Sequence, residues 1–144
     1  MPSKSEQVLQ ALFAVLEDGL PGVAVLRNSS VPEIIPAAGL VIMHDGDPGE
    51  YEFLFSPPCY YYEHRAEIDV IVDARDPADR DELFDTIKTN VAAALAVDRT
   101  LGGLCDYVLG EAPAPAELPV EGGDGLKAAV IPIMLAYDTP DPLA

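Results

Sequence analysis

Residues 60–73, Tyr-Tyr-Tyr-Glu-His-Arg-Ala-Glu-Ile-Asp-Val-Ile-Val-Asp, constrain the fold more than any other stretch of the chain. Tyr60, Tyr62, His64, Ala66, Ile68, Val70 and Val72 share one parity. Tyr61, Glu63, Arg65, Glu67, Asp69 and Asp73 share the other, and Ile71 alone interrupts the alternation. Successive side chains of a strand point to opposite faces, so this pattern describes a β-strand with one face in the core and one in water. It is longer than the usual strand of about 5–6 residues, so one end is expected to project beyond the domain body. Any fold must place this strand in a sheet with apolar cover on one side.

The cover comes from two amphipathic segments. Residues 5–18 carry Val8, Leu9, Leu12, Phe13 and Leu16 at helical spacing, with Ser3 or Ser5 available as cap and Gly19 behind the last turn. A second helix opens at Asp76-Pro77, with Asp76 at the N-cap and Pro77 at the first helical position. Phe84, Ile87, Val91 and Leu95 line its apolar face, and Gly102-Gly103 marks its limit. Strands are expected at 22–27, 39–44, 51–55, 104–109 and 126–137. Asp45-Gly46-Asp47-Pro48-Gly49 supplies turn chemistry for a hairpin between the second and third of these. Pro132 has no N–H to give a ladder, which puts the last strand at an edge or at a bulge. Residues 111–125 are rich in Pro, Ala, Gly and acid, with Leu118 and Val120 as their sizeable apolar groups, and read as a loop. The order αββββαββ gives an α+β fold: a two-layer sandwich, with two helices packed on one face of a mostly antiparallel sheet. With 144 residues and no internal repeat, the chain reads as a single domain, 1–144.

Charge decides which partners are excluded. Eight Lys and Arg against 25 Asp and Glu give a net charge of −17. A nucleic-acid groove replaces counterions with basic side chains, and an anionic membrane surface demands the same, so both are disfavoured. No apolar run reaches the roughly 18 residues that span a bilayer. Met-Pro-Ser-Lys-Ser-Glu lacks the pattern of a signal peptide. Two cysteines make no disulfide framework, and a reducing cytoplasm suits them.

The candidate chemistry is sparse. Asp45 and Asp47 have the spacing of two oxygen ligands to a divalent cation, but the same residues serve a turn, and about six oxygens are wanted. Cys59, His64 and Asp69 could be a nucleophile, base and orienting acid. Positions five apart on a strand face opposite ways, however, so Cys59 and His64 meet only across a bulge. Gly122-Gly123-Asp124-Gly125 with Lys127 lacks the spacing of a phosphate loop. No serine-hydrolase elbow or zinc-protease motif occurs. No catalytic residue, cofactor or metal is therefore expected. The charged strand face of Tyr61, Glu63, Arg65, Glu67 and Asp69 is the candidate interaction surface, with Tyr61 the ring that falls outside the core parity.

Taken end to end, the chain resembles tail-terminator or tail-completion proteins of long-tailed phages, prophages and gene transfer agents. The resemblance rests on the helix Ser5-Glu6-Gln7-Val8-Leu9-Gln10-Ala11-Leu12, the Asp45-Gly46-Asp47-Pro48 turn, the strand from Tyr62 to Val70 and the helix from Asp76. Asp98-Arg99-Thr100-Leu101-Gly102-Gly103-Leu104, Ile131-Pro132-Ile133 and Tyr137-Asp138-Thr139 complete it. It implies a non-enzymatic virion protein, assembled in the host cytoplasm and resident in the tail. Such a protein forms a ring, hexameric in these families, that caps the finished tail tube and presents a surface to the head-tail connector. DNA would pass without specific binding. A head-side neck protein, a small cytosolic group-transfer enzyme and a monomeric ligand-binding module are the alternatives.

Overall fold

The computed structural model describes residues 2–116 and 125–144. Along the chain these form α1 (Lys4–Gly19), β1 (Ala24–Arg27), β2 (Leu40–Asp47), β3 (Glu52–Phe55), β4 (Pro58–Asp73), α2 (Pro77–Val97), β5 (Tyr107–Gly110), β6 (Ala114–Pro115) and β7 (Leu126–Thr139). The architecture is α+β: among the described residues, two helices lie against a seven-stranded, mostly antiparallel sheet. No helix among them is long and apolar enough to cross a membrane.

Local chemistry sets the helix ends. The Ser3 side chain accepts the Glu6 N–H at 3.3 Å, and Asp76 accepts the Ala78 N–H at 2.9 Å, each capping a first turn that has no internal partner for those donors. Val8, Leu9, Leu12 and Leu16 of α1 and Phe84, Ile87, Val91 and Leu95 of α2 are buried on one side of the sheet. They meet Tyr62, Ala66, Ile68, Val70 and Val72 of β4 and Ile131, Ile133, Leu135 and Tyr137 of β7. The parity expected for the long strand is the parity observed. Ile71, its one irregular position, packs on the opposite face with Leu40 and Ile42, beneath Val31 and Ile35 from the connection between β1 and β2. That connection is long because β1 and β2 run parallel, and a parallel pair needs a crossover.

Three expectations are corrected. Asp45–Gly49 does not join two arms of a hairpin, because β2 continues to Asp47 and β3 pairs with β4 instead. The turn-forming residues bend β2 within its ladder: the register against β4 shifts between His44 and Asp47, with Gly46 at φ +71°. A Cβ at Gly46 would collide with the Arg65 carbonyl, so the close approach needs glycine. The real hairpin is β3–β4, closing with Phe55 opposite Pro58.

Pro132 is not at a sheet edge, since β7 lies between β4 on one side and β5 and β6 on the other, but the register does slip by one residue beside it, from Gly110 opposite Ile133 to Ala114 opposite Val130. Its carbonyl accepts the Glu111 N–H at 2.8 Å, and a strand residue's N and C=O point the same way. The missing donor therefore faces the gap between β5 and β6, where no ladder partner is lost. Finally, the strand expected at 104–109 is confined to Tyr107–Gly110, and Ala114–Pro115 add a two-residue strand inside the expected loop. Leu118, Val120 and Gly122-Gly123-Asp124 lie outside the described residues.

Candidate functional site

The helices clad only one face of the sheet, and the row Tyr61, Glu63, Arg65, Glu67 and Asp69 runs down the other. Each member is fixed by its register. Tyr61 stands between Glu52 and Asp138, Glu63 beside Ala136, Arg65 beside Met134, Glu67 between His44 and Pro132, and Asp69 between Ile42 and Val130. Glu63 and Arg65 are exposed; Tyr61, Glu67 and Asp69 are half-buried. Arg65 reaches Glu111 at 2.8 Å, and Asp69 meets His44 Nε2 at 2.8 Å. Desolvation, with Glu63, Asp106 and Glu52 nearby, raises the Tyr61 phenol above its ordinary pKa. The face is not wholly polar: Tyr107 and Leu109 of β5 are exposed next to Ala136 and Met134. The expected row is therefore one continuous strip, part charged and part apolar.

The tyrosine run divides. Tyr62 is buried and stacks with Tyr137, whereas Tyr60 is half-buried against Tyr51 and Phe53, with centroids 4.8 and 5.2 Å apart. These rings continue outward through Phe53 and Phe55, edge to face at 4.9 Å, to the hairpin tip, where Phe55 is 79% exposed. Sequence patterning did not single out this tip. A signal was present, since no charge interrupts Phe53 to Tyr62 in a chain so rich in acid.

The remaining candidates do not assemble into a reactive centre. His64 is buried, while Cys59 emerges on the other face with its Sγ 3.8 Å from Asp138, as the parity of the strand requires. Desolvation and Asp138 raise the Cys59 thiol, and burial pushes Cys105 to about 11. Both shifts work against the thiolate that nucleophilic chemistry uses. Asp45 is drawn to Arg27 at 2.9 Å, and Asp47 accepts the Gly49 N–H at 2.8 Å, so the two carboxylates serve separate structural ends. Among the described residues, no group of three or more His, Cys, Asp or Glu could hold a metal ion.

A second concave surface lies between α2 and the chain leaving β5, a cavity of about 400 Å³ walled by Val91, Leu95, Leu109 and Ile131 and rimmed by Lys88 and Arg99. Arg99 donates to the Val108 carbonyl at 3.0 Å and lies over the Tyr107 ring. No family model matches the chain, and no curated protein matches it in sequence.

Proposed function

We propose that this protein is a structural subunit of a phage-type tail, of the tail-terminator kind. It closes a ring on the completed tail tube and offers the surface on which the head connector seats. The observation that carries this reading is the one-sided sheet: helices cover the inner face, while the outer strip and the β3–β4 hairpin leave apolar and charged groups together in water. Tyr51, Phe53, Leu54, Phe55, Tyr107 and Leu109 are all exposed, an unusual amount of large apolar surface for a chain carrying −17. Such surface marks a place where proteins meet. The acidity fits a passage for DNA, because carboxylates lining a lumen repel phosphates and let a genome slide without sticking.

Self-assembly of like-charged subunits depends on salt. Repulsion between exposed charges extends about 8 Å at physiological ionic strength and about 3 Å at 1 M. Sedimentation velocity across a salt series is expected to show monomers or small oligomers in dilute low-salt buffer and larger rings as salt rises. Electron microscopy with tail tubes is expected to show the protein at tube ends. A chain that stays monomeric throughout and leaves tube ends bare overturns the proposal.

A further inference from the structure

The β3–β4 hairpin lies at one end of β4, and the α2–β5 groove lies level with its middle, beyond β7. Tyr60 and Tyr61 pair with β3 on one side and β7 on the other, which puts β3 on the β2 side of β4. The groove lies past β7, on the β5 side. Three strand spacings of about 4.8 Å therefore separate the two across the sheet. Along β4, the hairpin closes at Pro58, and the groove's nearest strand residue is Leu109, paired with Met134 opposite Arg65. At about 3.3 Å per residue, these are about 23 Å apart. A hairpin cannot reach its own groove.

The two surfaces nonetheless suit each other. Both are free of charge where they would touch: Phe53 to Tyr62 on the hairpin, and Thr89 to Val97 on the helical wall, with Val97 itself 86% exposed. With acids outnumbering bases by three to one, uncharged surfaces are where two copies approach with least repulsion. The flanks differ in charge. Glu50, Glu52 and Asp138 flank the hairpin, while the groove rim carries Arg99, together with Lys88 and Glu111, which are paired with Asp85 and Arg65. The cavity of about 400 Å³ is of a size to receive aromatic side chains, given the roughly 300–1,000 Å³ of ligand-holding clefts.

We propose that the hairpin tip of one copy, led by Phe55, docks in the α2–β5 groove of the next. The contact is head-to-tail: each copy uses two different surfaces and keeps one of each free until the chain of subunits closes on itself. This deepens the ring reading above and rests on it for closure, but the contact can be tested by itself.

Ala92 lines the groove and is exposed, as is Phe55, so a cysteine at either position leaves the core intact. In a Cys59→Ser background, with Cys105 left buried, purified Phe55→Cys and Ala92→Cys variants are mixed and oxidised at several salt concentrations. A disulfide-linked dimer is expected in the mixture and not in either variant alone. Phe55→Ser without any added cysteine should reduce oligomers at least tenfold by sedimentation while leaving the thermal midpoint unchanged. Phe55→Cys crosslinking chiefly to itself would mean a symmetric contact and overturn the proposal. So would the absence of a mixed crosslink at every salt concentration up to 1 M, whether because the hairpin serves another protein or none. Rings without the mixed crosslink refute the docking and spare the ring; crosslinked open chains that never close do the reverse.

Discussion

The Tyr137 hydroxyl and Nδ1 of His64 share a hydrogen bond of 2.8 Å in the interior between β4 and β7. The direction follows from the other ring nitrogen. Nε2 lies 2.6 Å from the Asp45 carbonyl oxygen, which can only accept, so Nε2 carries a proton; in the singly protonated ring Nδ1 is then the acceptor and Tyr137 the donor. One imidazole thus ties three strands together, joining β4 to β7 by a side chain and to β2 at the point where its register shifts. Burial pushes the Tyr137 hydroxyl up to about 12, so it remains a donor across the physiological range.

Tyr137→Phe should therefore leave Nδ1 buried and unsatisfied, at a cost of about 1–3 kcal/mol in urea unfolding. Combining it with His64→Leu should cost less than the two single losses added together, because the pair acts as a unit. Additive losses would show that the two side chains contribute independently.

Arg27 bridges α1 and β2, with Nη1 and Nη2 donating to Glu6 at 2.8 Å and Nε donating to Asp45 at 2.9 Å. The Arg27 hydrogen bonds hold Glu6 below its ordinary pKa. For Asp45, burial pulls upward, but Arg27 and Asn28 outweigh it and the net shift is downward. Lowered carboxyl values mean that the unfolded chain takes up protons first as pH falls. The stabilisation is complete above the ordinary carboxyl range and is lost on acidification through the lowered values. Both carboxylates are partly solvated, so Arg27→Met should cost only about 1 kcal/mol at pH 7. The gap from wild type in urea unfolding should narrow at pH 3.

Gly46→Ala should be among the most damaging single-methyl changes in the chain. It asks for a positive φ of a residue that resists it and drives a Cβ into the Arg65 carbonyl. A loss of about 2 kcal/mol or more in the thermal or urea midpoint is expected, against about 1 kcal/mol or less for Gly49→Ala, where a Cβ would meet nothing. Equal effects would mean that the bulge relaxes at no cost.

Arg65→Glu reverses the central charge of the outer strip beside Glu111. The pair is solvated, with Arg65 55% exposed, so stability should change by about 1 kcal/mol or less. Self-association or partner binding should fall more clearly, as read by sedimentation. A large drop in thermal midpoint with association unchanged would place the role of Arg65 inside the fold.

The patterns that repeat along the chain were legible in the sequence because they depend on neighbours a few residues away. The parity of Tyr60–Asp73 fixed which side chains enter the core, and the 3–4 spacing of Phe84, Ile87, Val91 and Leu95 fixed the buried face of α2. Capping by Ser3 and Asp76 and the α+β class follow from the same local rules. Tertiary pairing decided the rest. Asp-Gly-Asp-Pro-Gly suits a hairpin turn and a bulge equally, and only the competition of β2 and β3 for the edge of β4 selected the bulge. Pro132 tolerates a central position because its missing N–H falls in the gap between β5 and β6, whose pairing with β7 no local pattern encodes. The groove and the hairpin tip were set apart across one sheet through the strand order β1-β2-β4-β7-β5, a relationship between residues far apart in the chain.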